Sequence, residues 1–347
     1  MTTYYVPSTK WIQWLDEPTG VAVFQPNEAG RLERRQPGRP APAVEALSQA
    51  RPGQSPKGLL FPSLESVGRY GTEVSAATAL QAEPAVLIGL RACELRAMRF
   101  LDKVLLDGSF QDAAYAARRE ATTVVSLDCA DCRETCFCTL VGGQPFATEG
   151  YDVNLTPVDG GVIVDVATER GAAWVARAGQ DVPAEAAAEQ LARRDRQRQR
   201  MTERVQSQNA AFTFTADDGT RPALPDDDDP SWQRFAADCV ECAACTNVCP
   251  TCHCFYLYDQ SLGPERFERV RTWDSCLLSS YHRMAGTPAM KPTPRPRLRS
   301  RLANRVLHKF SYSPEQYGLL GCVGCGRCVE GCLGGIDIRQ AVQELSQ

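Results

Sequence analysis

Residues 238–250 read DCVECAACTNVCP, and residues 321–332 read GCVGCGRCVEGC. Both stretches space their thiols as C-x2-C-x2-C-x3-C: Cys239, Cys242, Cys245 and Cys249 in the first, Cys322, Cys325, Cys328 and Cys332 in the second. This spacing wraps a [4Fe-4S] cluster with three thiolates and sends the fourth to a neighbouring cluster. One cluster is therefore expected on Cys239, Cys242, Cys245 and Cys332, and a second on Cys322, Cys325, Cys328 and Cys249. Two such centres close together suit single-electron transfer. The first run carries Pro250 after its last cysteine, as the ferredoxin pattern does; the second has Leu333 and Gly334 there.

Other uses of the thiols fit less well. Disulfides belong to oxidising compartments, and the polar start MTTYYVPSTK does not read as a secretory signal. A zinc ribbon sets two C-x2-C pairs well apart instead of crowding four thiols into residues 239–249.

The sequence has 347 residues, 16 cysteines, three histidines (His253, His282 and His308) and a net charge of -4. That length allows two domains with cores of their own. So few histidines argue against haem or a histidine-rich metal centre, and the mild negative charge argues against nucleic-acid binding. No apolar run is long enough to span a membrane. A cytoplasmic protein is expected, with no direct membrane insertion.

Along the chain, the first 65 residues mix Trp11, Trp14 and Phe24 with Pro, Gly and Arg, which reads as short strands and loops. Residues 84–90 (PAVLIGL) form an apolar run suited to a buried parallel strand. Residues 93–106 have helical periodicity through Leu95, Met98, Leu101 and Leu105. A helix over 112–120 and a strand over 122–127 (TTVVSL) complete a strand–crossover–strand unit. Residues 151–167 read as a hairpin turning at Asp159, Gly160 and Gly161. Residues 184–211 read as a long helix, whose arginines from Arg193 to Arg204 are expected on a solvent face. The acidic run Asp226–Asp229, between Pro225 and Pro230, marks a linker. Residues 250–321 then make an insertion between the two cysteine runs.

Four further cysteines follow the paired strands: Cys93, Cys129, Cys136 and Cys138. Parallel sheets present ligands at the carboxyl ends of their strands, so these thiols are expected on one edge, where they would hold a third [4Fe-4S] cluster. The competing reading is four buried cysteines that act as small hydrophobes.

Here a resemblance becomes specific. GLRACELRAMRFLD, AYAARRE, SLDCADCRETCFC, DCVECAACTNVCPTCHC, RTWDSC and GLLGCVGCGRCVEGC follow in the order found in the iron–sulfur β subunit of cytoplasmic hydrogenases and sulfur reductases (sulfhydrogenases). The iron–sulfur component of anaerobic sulfite reductase is related. The resemblance covers roughly residues 80–340. It implies an electron relay that links a catalytic or further iron–sulfur subunit with a flavin-containing, NAD(P)H-linked one. It also maps the family's first thiol group onto Cys93, Cys129, Cys136 and Cys138, leaving Cys132 as extra.

Cys252, Cys254 and Cys276 belong to the resembling segments without an assigned role. They either form a further metal site, with His253, or hydrogen-bond to nearby clusters and tune them. The basic run from Lys291 to Lys309 (Lys291, Arg295, Arg297, Arg299, Arg301, Arg305 and Lys309) reads as a solvated loop, or else as a docking strip for an acidic partner. No glycine-rich phosphate loop, Rossmann fingerprint or nucleophile–base pair is present, so no flavin or nicotinamide is expected on this chain.

The expected architecture is α/β to α+β. An N-terminal α/β domain with a short parallel sheet (1–215) leads through the acidic linker (216–238) to a helical dicluster ferredoxin-like domain with an insertion (239–347). The expected function is electron transfer without catalysis. The alternative is a substrate-reducing enzyme whose N-terminal cluster is catalytic; an iron–sulfur nucleic-acid protein has no supporting motif.

Overall fold

The structure is a computed structural model and describes residues 2–11, 21–27, 29–36, 49–71, 82–176, 184–281, 283 and 294–346. Trp14, His282, Lys291 and Pro292 lie outside the described residues.

Eight strands make the main sheet: β1 (Thr2–Pro7), β2 (Ala22–Pro26), β3 (Leu32–Arg34), β5 (Ala85–Leu90), β6 (Thr122–Leu127), β7 (Val153–Val158), β8 (Gly161–Val166) and β9 (Ala184–Glu185). They run in the order β3-β2-β5-β6-β7-β8-β1-β9. The expected parallel pair β5–β6 is the centre of this sheet, with β2 and β7 extending it in parallel and the outer strands antiparallel. The sheet is thus larger and more mixed than expected, because the N-terminal residues contribute β1–β3. The continuous apolar run of β5 is explained by burial on both faces. Val86 and Ile88 pack with Val125, Leu127 and Val164 on one side. Leu87 and Leu90 meet Leu95, Met98 and Leu101 on the other.

Helix α1 (Ala92–Leu106) leaves the end of β5, and α2 (Ala113–Glu120) precedes β6. Asp112 starts α2 by accepting the Tyr115 amide at 3.0 Å. Helix α3 (Glu169–Ala176) covers one sheet face, and α4 (Ala188–Gln208) realises the long helix, shortened at both ends.

The remainder holds α5 (Leu298–Leu307), which continues as a π-helical turn (His308–Tyr312), and α6 (Ile338–Leu345). The insertion carries a hairpin, β10 (Phe255–Gly263) with β11 (Arg266–Trp273), so this part is not purely helical. β11 also pairs antiparallel with β4 (Leu64–Gly71), a strand from the other end of the chain. Its root is locked by Arg271, which forms ion pairs with Glu65 and Asp112, and by Trp273, stacked on Phe61 at 6.4 Å.

Residues on both sides of the expected boundary share a core. Phe137, Val141 and Phe214 pack with Leu302, Val306, Phe310 and Val342. The segment expected to be a linker is packed as well. Trp232 has no exposed surface, and its indole donates to the Asp226 carbonyl at 3.0 Å. Within the acidic run, Asp229 accepts from the Ser231 amide and Asp227 pairs with Arg295.

Two charge readings need correction. Arg301, Arg305 and Lys309 are buried instead of solvated. In the arginine-rich helix α4, Arg198 and Arg194 turn inward onto the buried carboxylates of Asp128 and Asp165, while Arg193 and Arg204 stay on the surface.

Candidate iron–sulfur centres

The two cysteine runs adopt the same local backbone. In the first, Glu241 and Ala243 have φ of 52° and 58°; in the second, the corresponding Gly324 and Gly326 have φ of 67° and 73°. Left-handed residues at these two places curl the loop so that its successive thiols face inward. A run of ordinary turns would not require Glu and Ala to enter a region they disfavour.

Cys239, Cys242, Cys245, Cys328 and Cys332 line one small cavity together with Leu302 and Arg305. Cys332 reaches this cavity because the loop after it crosses directly over the first run. A Cβ on Gly334 would stand 1.9 Å from the Asp238 carbonyl oxygen. Gly334, one residue past the Leu333 that stands in the place of the ferredoxin-type proline, is therefore what lets the two loops touch. Burial pushes the Cys245 thiol up, and Cys332, Cys239 and Cys249 raise it further, while Arg305 opposes them.

Cys249, Cys322, Cys325 and Cys328 form the neighbouring set. Burial raises Cys322 to about 12 and Cys328 to about 11, with Cys325 acting on both and Cys249 on Cys328. Lys309 Nζ donates to Thr251 Oγ1 at 2.8 Å and to the Gly321 carbonyl at 3.1 Å. Thr251 Oγ1 in turn lies 3.2 Å from Cys249 Sγ. Burial alone would lower Lys309, but the Cys249, Cys252 and Cys322 thiols outweigh it and hold the ammonium charged.

Four further thiols lie near the carboxyl ends of β5 and β6. Cys93 lies in the first turn of α1, and Cys129 is two residues beyond β6. Arg91 ties the two strand ends, its Nη1 donating to the Leu127 and Asp128 carbonyls at 3.4 and 3.2 Å. The carboxylate of Asp128 accepts from Arg198, Thr156, Asn154 and the Ala147 amide, which fixes the residue before Cys129. The Cys136 carbonyl is held by Gln208 and Asn209 at the end of α4, at 2.7 and 2.8 Å. Burial pushes Cys93, Cys129 and Cys138 up. Glu94, Cys325 and Cys129 add to this at Cys93, Cys138 and Cys136 at Cys129, and Cys93 and Cys136 at Cys138. All four thiols thus converge. Cys132 sits to one side, its Sγ 3.3 Å from Gln208 Oε1.

This third set abuts the second. The Phe137 amide donates to the Gly324 carbonyl at 2.8 Å, and a Cβ on Gly324 would lie 2.5 Å from Cys138 Cα. A Cβ on Gly326 would lie 2.2 Å from the Thr135 carbonyl oxygen. These glycines therefore serve loop-to-loop approach as well as backbone freedom.

Among the described residues, no three His, Cys, Asp or Glu side chains gather tightly enough to hold a single metal ion. Cys252, Cys254, Cys276 and His253 do not gather as a single-ion site among the described residues. Instead the Cys252 thiol hydrogen-bonds to Cys249, and the Cys276 thiol hydrogen-bonds to Cys254, which with Tyr281 brings Cys254 down to about 6.

Sequence reasoning missed Arg91, Glu94, Thr251, Arg305, Arg327 and Lys309. Arg301, Arg305 and Lys309 recur every four residues beside Leu302 and Val306, a helical spacing that signals one inward stripe.

Comparison with known proteins agrees with this geometry. Residues 238–336 match the 4Fe-4S dicluster domain family. The sulfhydrogenase 2 subunit beta of Pyrococcus furiosus is 30% identical over 267 residues, covering 76% of this chain and 74% of that one. The chain belongs to the sulfhydrogenase β-subunit family. As a member of that family it carries a dicluster domain for two [4Fe-4S] clusters. No solved structure matches it. In this β subunit, no helix among the described residues is long and apolar enough to cross a membrane.

Proposed function

We propose that the protein is the electron relay of a sulfhydrogenase-type complex. It would pass single electrons between a catalytic or iron–sulfur partner and a flavin-containing, NAD(P)H-linked subunit, in the cytoplasm. Cys239, Cys242, Cys245 and Cys332 would hold the first [4Fe-4S] cluster, and Cys322, Cys325, Cys328 and Cys249 the second. Cys93, Cys129, Cys136 and Cys138 would hold a third. Residues 1–215 supply the third site and residues 239–347 the dicluster site, with 216–238 joining them.

The observation that carries this reading is the contact of Gly324 with Cys138. It brings the third thiol group against the second, which supports a relay of three centres in series. A bound [4Fe-4S] cluster supplies a one-electron redox centre. The chain's own residues orient the thiolates, exclude water and balance charge: Lys309 beside Cys249 and Cys322, and Arg327 beside Cys325 and Cys93. The series begins inside the protein and ends at the surface, where Cys242 is exposed and Val240 and Leu333 are 60% and 78% accessible. That end is the face for electron exchange with a partner. Burial of Cys93, Cys136 and Cys138 weighs against a catalytic N-terminal cluster, which needs substrate access.

Anaerobic iron and sulfide analysis tests the assignment. About 12 iron atoms per chain are expected, and about 8 in Cys136→Ala, at four per cluster. A reproducible value near 8 in the wild type removes the third cluster. Full iron content in Cys136→Ala removes Cys136 as a ligand.

A further inference from the structure

Helix α5 and its π-helical extension carry three buried cations at i, i+4 and i+8: Arg301, Arg305 and Lys309. Two have protein partners. Arg301 Nη2 pairs with Glu241 Oε2 at 2.8 Å, and its other nitrogens donate to the carbonyls of Leu277 and Pro296, both at 2.8 Å. Lys309 donates to Thr251 and Gly321 as described. Arg305 differs. It is 4% exposed, and its Nε and Nη2 are buried without a hydrogen-bond partner.

An unsatisfied buried donor costs about 1–3 kcal/mol, and more when charged. A guanidinium offers five rigid N–H donors and cannot shed its proton. So the orphaned hydrogens of Arg305 need an anionic acceptor that the protein's own oxygens do not provide. The surroundings name one. Arg305 lines the cavity formed by Cys239, Cys242, Cys245, Cys328 and Cys332, which mixes ligands of the first proposed cluster with Cys328 of the second.

We propose that Arg305 is a shared cation of the two dicluster centres, donating its orphaned N–H groups to cluster sulfur and holding both reduction potentials up together. Net charge and hydrogen bonds to sulfur are among the factors that set such potentials. A cation common to both centres raises them in step and leaves the difference between them unchanged. The inference rests on the cluster assignment above and extends it to a residue outside the ligand set.

EPR-monitored redox titration of the full chain, anaerobically loaded, tests this with Arg305→Gln and Arg305→Lys. In Arg305→Gln the midpoint potentials of both dicluster centres shift to more negative values. Arg305→Lys, which keeps the charge, shifts them less, and the N-terminal centre stays put as an internal control. Loaded clusters with unchanged potentials in Arg305→Gln overturn the shared-cation role. Pulsed EPR of the reduced wild type, grown with arginine labelled with nitrogen-15 at the guanidinium only, covers the case in which Arg305→Gln fails to load. A nitrogen coupling to the cluster spin that disappears in Arg305→Lys is expected, and its absence from the wild type overturns the hydrogen bond. A wild type with no reduced-cluster signal at all overturns the cluster assignment, a failure distinguishable from the others.

Discussion

Arg327 and Glu94 form an ion pair with both side chains buried, although 233 residues separate them. Glu94 follows Cys93, and Arg327 stands between Cys325 and Cys328. Arg327 also donates to the carbonyls of Pro52, Gly53 and Gln54, and Glu94 accepts the Arg91 amide at 2.8 Å. One pair thus fastens the N-terminal thiol set to the second cysteine loop and to the chain ahead of β4.

Removing one member of a buried pair leaves the other charge uncompensated, at about 3–5 kcal/mol. Arg327→Met is therefore expected to lower unfolding stability by that order, and Arg327→Met with Glu94→Gln to recover part of it. Denaturant unfolding of both variants checks this. Equal loss in the single and the double variant would show that the carbonyl contacts of Arg327, and not the pair, carry the effect.

Gly324 and Gly335 have almost the same φ, 67° and 68°, yet a Cβ on Gly335 would meet nothing within 4 Å. Ala at either position bears the cost of a left-handed backbone, roughly 1–2 kcal/mol. Only Gly324→Ala also forces the CFC loop away. Gly335→Ala is expected to keep all clusters at slightly reduced stability, while Gly324→Ala disturbs the N-terminal centre. Iron content and EPR of the two variants make the comparison, and identical behaviour would show that the backbone alone matters.

Asp128 gathers four hydrogen bonds directly before Cys129. Asp128→Ala frees that loop and removes the nearer of the two buried carboxylates that Arg198 pairs with, leaving Asp165. Iron is expected to fall from about 12 toward about 8 per chain, the loss being confined to the N-terminal centre. Loss from the dicluster centres instead would refute the positioning role.

His253 and His308 pack ring to ring at 5.5 Å. Burial lowers them from 6.5 to about 4 and about 3. Both are depressed in the fold, so the unfolded chain binds the extra protons first. Their contribution is present in full above pH 6.5 and is lost as the pH falls from there toward 4 and 3. Unfolding midpoints between pH 7 and pH 5 should therefore drop in the wild type and drop less in His308→Gln. An unchanged slope in His308→Gln would assign the acid sensitivity elsewhere.

Much of the α/β part was legible because burial on both sheet faces writes itself as an apolar run. The strand over 122–127 and the helix after Leu90 needed no tertiary information. The cysteine spacing carried the dicluster domain in the same way. Charge was read less well. Arg301, Arg305 and Lys309 look like a solvent-exposed run because burying a cation is ordinarily costly, and composition does not reveal that Arg305 and Lys309 fold in beside cysteines. Asp226–Asp229 looked like a linker because composition does not reveal that Trp232 folds back over it. The pairing of β4 with β11 left no trace, since neither strand signals a distant partner.

That pairing has a consequence for how the molecule is made. Glu65 and Arg271 are 206 residues apart, and at about 5–20 residues per second the ribosome needs roughly 10–40 s to deliver the second after the first. Throughout that interval β4 waits with an unpaired edge, the kind of surface on which nascent chains associate wrongly. The strand can close only after the first cysteine run, which precedes β11, has emerged. Biogenesis therefore has a built-in order, in which a strand made early is among the last to find its place.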